Sequence, residues 1–229
     1  MNTRIKSRIL ALAASILLVL MVYPATRAVG LSQTALKKLS ISTRTQSSNP
    51  PTPEPLILTG TQGEYPLGLH LEILEDPSGE LTIAEVSSPE IDSQFTPSQV
   101  EVPNYGFSDS AYWVRVRLDN ETLQIDEWLL ELGFANMHYV DLYTPLPDGE
   151  GFSVKQTGAL RPVSTRDLLY PHIVFDLSVP TQSQQTVYLR FQSGASMTLG
   201  LTLWTKDAFW VQSQWVQMLN WLFFGALIA

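Results

Sequence analysis

From Glu64 to about Trp204 the apolar positions recur every second residue rather than every third or fourth. That period belongs to strands with one buried face. In "YWVRVRL", Val114, Val116 and Leu118 share one face, and Trp113, Arg115 and Arg117 share the other. "TVYLRF" sets Val187, Leu189 and Phe191 against Tyr188 and Arg190, and "MTLGLTLW" sets Met197, Leu199, Leu201 and Leu203 against Thr198, Gly200, Thr202 and Trp204. Further short strands are predicted at 69–74, 128–132, 138–143 and 172–177, divided by turn formers such as "DPSG" and "PDGEG". Seven or more short strands with no helices between them predict an all-β sandwich. No internal repeat is visible.

Two apolar stretches flank this alternating region. The first, "ILALAASILLVLMV" at residues 9–22, is broken only by Ser15 and follows Arg4, Lys6 and Arg8. It is shorter than the roughly 20 residues of a membrane span and suits the core of a signal peptide. Residues 1–28 are therefore expected to be a signal peptide cleaved after "TRA", or an uncleaved anchor, with everything from Val29 onward translocated. Residues 29–63 hold no aromatic side chain and carry "NPPTPEP". Proline fixes the backbone and removes amide donors, so this Ser/Thr/Pro-rich stretch is expected to be an extended linker, with the folded domain at 64–205.

The second apolar stretch ends the chain. In residues 206–229, "KDAFWVQSQWVQMLNWLFFGALIA", only Asn220 interrupts the run from Met218. Trp204, Trp210, Trp215 and Trp221 suit a membrane interface, where indoles favour the mix of apolar ring and polar N–H. The residues from Met218 would rise about 18 Å as a helix, against a hydrocarbon core of about 30 Å. The expectation is a helix entering the membrane but incomplete, in a chain that is a fragment or an early-ended product. An amphipathic helix lying on the sandwich or on a membrane is the alternative.

Composition narrows the functions. With 229 residues, 45% of them hydrophobic and 16% charged, the chain can hold one ordinary core plus extra segments. The formal charge is −8, and Arg4, Lys6, Arg8 and Arg27 lie in the leader. The remainder is more acidic still and repels phosphate backbones, which argues against a nucleic-acid partner. The absence of cysteine excludes a disulfide framework, thiolate zinc sites and a thiol nucleophile.

Four segments together, "LEILEDPSGELTIAEV" (71–86), "NYGFSDSAYWVRVRLDN" (104–120), "WLLELGFANMHYVDLY" (128–143) and "VYLRFQSGASMTLGLTLW" (187–204), carry a family likeness in their order and spacing. The chain resembles the type 2 extracellular domain of the bacterial seven-transmembrane receptors with diverse intracellular signalling modules. The resemblance implies a jelly-roll sandwich similar to carbohydrate-binding modules. It also implies a seven-helix membrane unit and then a histidine kinase, diguanylate cyclase or related output module. The expected location is the inner membrane, with the β-domain on the periplasmic side.

Catalytic chemistry finds little support. His70, His138 and His172 each fall in a predicted strand, and no His-x-His or His-Glu-x-x-His pair supplies a metal site. "EDPSGE" reads as a hairpin turn rather than a calcium loop, and "NET" at Asn120 is a glycosylation sequon by spelling alone. No phosphate loop or nucleophile elbow appears, so no catalytic residue and no cofactor is expected.

A binding surface remains. Trp113 beside Arg115 and Arg117 could stack on a sugar ring and hydrogen-bond its hydroxyls. Arg161, Arg166 and Tyr170 lie in a loop-like stretch, and loops at the end of a sandwich often carry recognition. The opposing reading puts Trp113 in the core and pairs the arginines with carboxylates. Candidate partners are a carbohydrate or related small ligand, the membrane and a second copy of the chain. A non-signalling carbohydrate-binding or scaffold sandwich is the alternative function.

Overall fold

The computed structural model describes residues 53–228, so the signal segment and most of the linker lie outside the described residues. In chain order the elements are β1 (Leu56–Leu58), β2 (Glu64–Pro66), β3 (Leu71–Asp76), the one-turn helix α1 (Ile83–Val86), β4 (Thr96–Pro97), β5 (Asn104–Phe107), β6 (Ala111–Asn120), β7 (Glu127–Leu132), β8 (Tyr139–Pro145), β9 (Phe152–Thr157), β10 (Ile173–Ser178), β11 (Ser183–Gln192), β12 (Ser196–Thr198), β13 (Leu201–Thr205) and helix α2 (Lys206–Ile228). Residues Asn49–Trp215 form one compact unit, and the helical residues from Val216 onward belong to another.

Alternation sorts these strands into two sheets. A seven-stranded sheet runs β4-β3-β6-β11-β8-β9, with β1 parallel to the end of β6, and a four-stranded sheet runs β10-β7-β13-β2. A separate ribbon pairs β12 with β5. Val114, Val116, Leu118, Val187, Leu189 and Phe191 of the larger sheet meet Trp128, Leu130, Phe175, Leu201 and Leu203 of the smaller one in a single core. The fold is an all-β sandwich closed on its two inner faces.

Both outer faces are also covered. Leu74, Trp113 and Tyr188 project from the back of the larger sheet and are buried by Val86 and Phe95, with Leu81, Ile83 and Ile91 beside them. The 77–95 segment thus acts as a cover. On the back of the smaller sheet, Leu129, Val174 and Trp204 are buried by Phe209 of α2, with Leu168, Tyr170 and Ala208 around it.

The structure departs from the sequence expectations in four places. Residues 56–58, assigned to the linker, form β1, and Leu58 is fully buried; the apolar "LIL" finds a free edge of β6 once the last proline is passed. "EDPSGE" is a turn but does not join two strands of a hairpin: it leads into α1, and β4 returns to pair with β3. Asp76 organises that turn, accepting from Ser78 Oγ (2.7 Å), Gly79 N (2.9 Å) and Leu81 N (3.0 Å). "MTLGLTLW" is divided at Leu199 and Gly200 into β12 and β13, although Met197, Leu199, Leu201 and Leu203 are all buried as the alternation predicts. None of the three histidines lies in a strand: His70 ends a 3-10 turn, and His138 and His172 precede β8 and β10.

The sequon is structural. Asn120 is fully buried, and its amide donates to Ile125 O (2.8 Å) and Val179 O (2.7 Å).

Candidate functional site

The six residues singled out in the sequence occupy three places. Trp113 is fully buried under the 77–95 cover, its ring 5.4 Å from that of Tyr143, so it presents no face to solvent. Arg115 and Arg117 stand beside it and both pair with Glu72 across the β3–β6 ladder, while Arg115 also reaches Asp92 of the cover at 2.5 Å. Arg161 lies at the β8 side of the same sheet, paired with Asp141. Arg166 and Tyr170 belong to the other sheet's outer face, where Arg166 Nη1 donates to Tyr170 O at 2.8 Å and Tyr170 packs on Phe209. The six do not form one cleft, and most of their polar atoms are spent on internal partners.

An open cleft lies at the junction of β8 and β11. Asp109, His138, Tyr139, Gln192, Ser193 and Gly194 line a cavity of about 220 Å³. Antiparallel register sets Tyr139 opposite Gln192, and the Tyr139 ring keeps about a third of its surface exposed. Arg161 stacks on that ring, its guanidinium carbon 5.3 Å from the centroid, and is held there by the carbonyls of Val140 (3.2 Å) and Thr157 (3.0 Å). The ring is thus fixed in orientation before any ligand arrives.

The remaining wall is set by backbone contacts. Gly194 N donates to His138 Nδ1 at 3.2 Å, which puts the ring proton on Nε2. The buried Ser193 hydroxyl accepts from His138 N (3.4 Å) and Ala195 N (3.1 Å). Gly158 has φ +148°, and a Cβ there would lie 2.0 Å from His138 O, so only glycine lets the end of β9 approach this closely. Gln192 Oε1 accepts from Arg190 Nη2 at 3.2 Å, which leaves its amide N–H groups as donors. The cleft therefore offers a carboxylate acceptor, imidazole and amide donors and a tethered aromatic ring. That set suits a ring compound rich in hydroxyls. Sequence reasoning missed it because its members come from three segments and only Tyr139 is an exposed ring.

A smaller hollow of about 130 Å³ lies between Pro55, Arg117 and Gln184–Thr186. Its one guanidinium is already bound to Glu72 (2.9 Å) and Pro53 O (3.4 Å).

A second constellation joins the sandwich to α2. Glu131 accepts from Trp204 Nε1 at 2.9 Å through one oxygen and lies 2.6 Å from His172 Nδ1 through the other. Lys206 donates to Glu127 at 2.6 Å and sits 3.3 Å from Asp176, which ties the first helical residue to β7 and β10. Thr205 Oγ1 accepts from Ala208 N at 3.4 Å, and Ala208 packs so tightly on Gly63, just before β2, that a Cβ there would lie 2.4 Å from its own. Burial, and then the nearby Glu131 charge, push the Tyr170 phenol above its ordinary value, as they do the Glu64 carboxyl. These contacts link β7, β10 and β13 directly to the start of the helix.

Among the described residues no helix is long and apolar enough to cross a membrane. Comparison with known families finds one that fits: the sequence model described as 7TMR-DISM extracellular 2 matches residues 68–205. No curated protein matches the chain.

Proposed function

The chain belongs to the 7TMR-DISM extracellular 2 family, the extracellular sensor domains of membrane receptors, and on that footing we propose that its sandwich is the input domain for a carbohydrate-like ligand. The observation that carries the reading is the cleft around Tyr139. An oriented, partly exposed ring lies among Asp109, His138 and Gln192, in a cavity of about 220 Å³. A pyranose face stacks on the phenol, and its hydroxyls take up the carboxylate and the donors.

The signal passes from the larger sheet through the shared core to β7 and β13, and from Trp204 and Lys206 into α2. Ligand binding then shifts a population of docked and displaced helix starts. Downstream stand a seven-helix membrane unit and a cytoplasmic output module of kinase or cyclase type. The sandwich itself acts by binding rather than by catalysis.

Calorimetry on the full chain in detergent, titrated with neutral and acidic oligosaccharides, tests the ligand. The reading expects saturable binding that falls roughly ten- to a hundredfold in Tyr139→Ala or Gln192→Ala, the loss typical of one stacking or hydrogen-bonding partner. No binding at millimolar concentration, or binding indifferent to both changes, would remove the carbohydrate from the cleft.

A further inference from the structure

The loop at residues 166–170 meets α2 within its first two turns. The Tyr170 ring lies 4.9 Å from that of Phe209, and Leu168 and Ala208 pack against the same apolar cluster. Between these anchored neighbours, Leu169 is 86% exposed. Leu169 is thus held outward by a packed loop rather than carried on a free tip.

Two further observations say what covers it. The first is charge: Arg115, Arg117 and Arg161 each close an ion pair, whereas Arg166 closes none among the described residues. Its guanidinium is instead fixed by one hydrogen bond to Tyr170 O, at 2.8 Å. A planar fork without a carboxylate is matched by a phosphate. The second is position. The loop packs against Phe209, on the same stretch of α2 that carries Trp210 and Trp215. Trp210, Val211 and Trp215 are themselves about half exposed. Exposed indoles on a helix, with a cation and an outward leucine on the loop packed beside it, are the composition of a protein surface at a lipid headgroup layer.

We propose that the 166–170 loop rests on the phospholipid surface, with Leu169 inserted among the upper acyl segments and Arg166 against headgroup phosphates. The proposal rests on the reading of α2 as the lead-in to a membrane. It makes the loop a second foot for the domain, beside the helix. Since Tyr170 and Phe209 connect the loop to α2, the lipid contact also holds the helix start in its docked position.

The chain has no cysteine, so single labelling sites can be introduced cleanly. Leu169→Cys, Met218→Cys and Leu123→Cys, each carrying an environment-sensitive fluorophore, would be compared in the full chain in phosphatidylcholine–phosphatidylglycerol vesicles containing brominated lipid. Leu123, 80% exposed in the β6–β7 turn, serves as the aqueous reference, and Met218 lies within the apolar run of α2. Blue-shifted emission and quenching by brominated lipid at 169 and 218, but not at 123, support the proposal. Quenching at 218 without quenching at 169 overturns the loop contact and leaves the membrane reading standing. Quenching at neither overturns both. A label at 169 that is untouched by brominated lipid but transfers energy to a second labelled copy assigns the loop to a dimer interface and overturns the lipid proposal.

Discussion

Arg115 grips Glu72 through two parallel hydrogen bonds, Nε to Oε2 and Nη2 to Oε1, each 2.9 Å long, with both residues almost wholly buried. The same carboxylate takes Arg117 at 2.9 Å, and Arg115 reaches on to Asp92, so one buried acid links β3, β6 and the cover. Removing one member of such a pair strands the other. Glu72→Gln should lower unfolding free energy by about 3–5 kcal/mol, read from the urea midpoint, and replacing Glu72 and Arg115 together by methionine should recover much of the loss. A midpoint unchanged in Glu72→Gln would mean that the cover is held by its apolar residues alone.

Asp76 predicts an acid-side signature. Burial alone would raise its carboxyl, but bonds from Ser78, Leu81 and Gly79, with Arg190 nearby, hold it below the ordinary value of 3.8. A depressed folded pKa contributes stability that is present above the unfolded value and is lost as pH falls through the folded one. The parent should therefore lose stability more steeply below about pH 4 than Asp76→Asn, which should be weaker at neutral pH by about 1–3 kcal/mol. Parallel stability curves for the two proteins across that range would contradict the assignment.

Gly158→Ala tests how the cleft wall is set. The added methyl meets His138 O and requires a backbone conformation that side chains disfavour, a strain of about 1–3 kcal/mol or more. Melting temperature and oligosaccharide binding should fall together, because His138 and Tyr139 must move. A variant that melts lower yet binds as before would separate the cleft from this contact.

At the other end of the molecule, Gly63→Val should drive a wedge between β2 and Ala208. Amides 208–213 should then exchange with solvent faster, while those of β6 and β11 keep their protection. Equal acceleration in both places would show that the helix start and the sandwich open as one body.

The inner faces were legible in the sequence because burial between two sheets imposes strict alternation. Val114, Val116 and Leu118 lie in the core as the pattern requires. The outer faces were not, because alternation cannot tell a solvated face from one that a distant segment covers. Trp113 admits two readings from sequence, a stacking ring or a core residue, and Val86 and Phe95 lying on it decide for the core. The family likeness agreed with the sandwich that alternation already predicts, but it named no ligand residue. The cleft was invisible for a related reason: Asp109, His138 and Gln192 are unremarkable singly, and they meet only because the β8–β11 register sets Tyr139 opposite Gln192 and the turn before β6 brings Asp109 alongside. The arginines were found as residues, but their partners Glu72, Asp92 and Asp141 follow from ladder neighbours and loop closure that spacing alone does not give.

The three apolar clusters each contain one buried tryptophan: Trp128 between the sheets, Trp113 beneath the 77–95 cover and Trp204 at the helix junction. Their indoles also differ chemically, since the N–H groups of Trp113 and Trp128 have no hydrogen-bond partner among the described residues and Trp204 donates to Glu131. The protein thus carries a built-in fluorophore for every layer. With the other tryptophans changed to phenylalanine, emission from Trp128, Trp113 or Trp204 would time the melting of the centre, the lifting of the cover and the release of the helix as separate optical events.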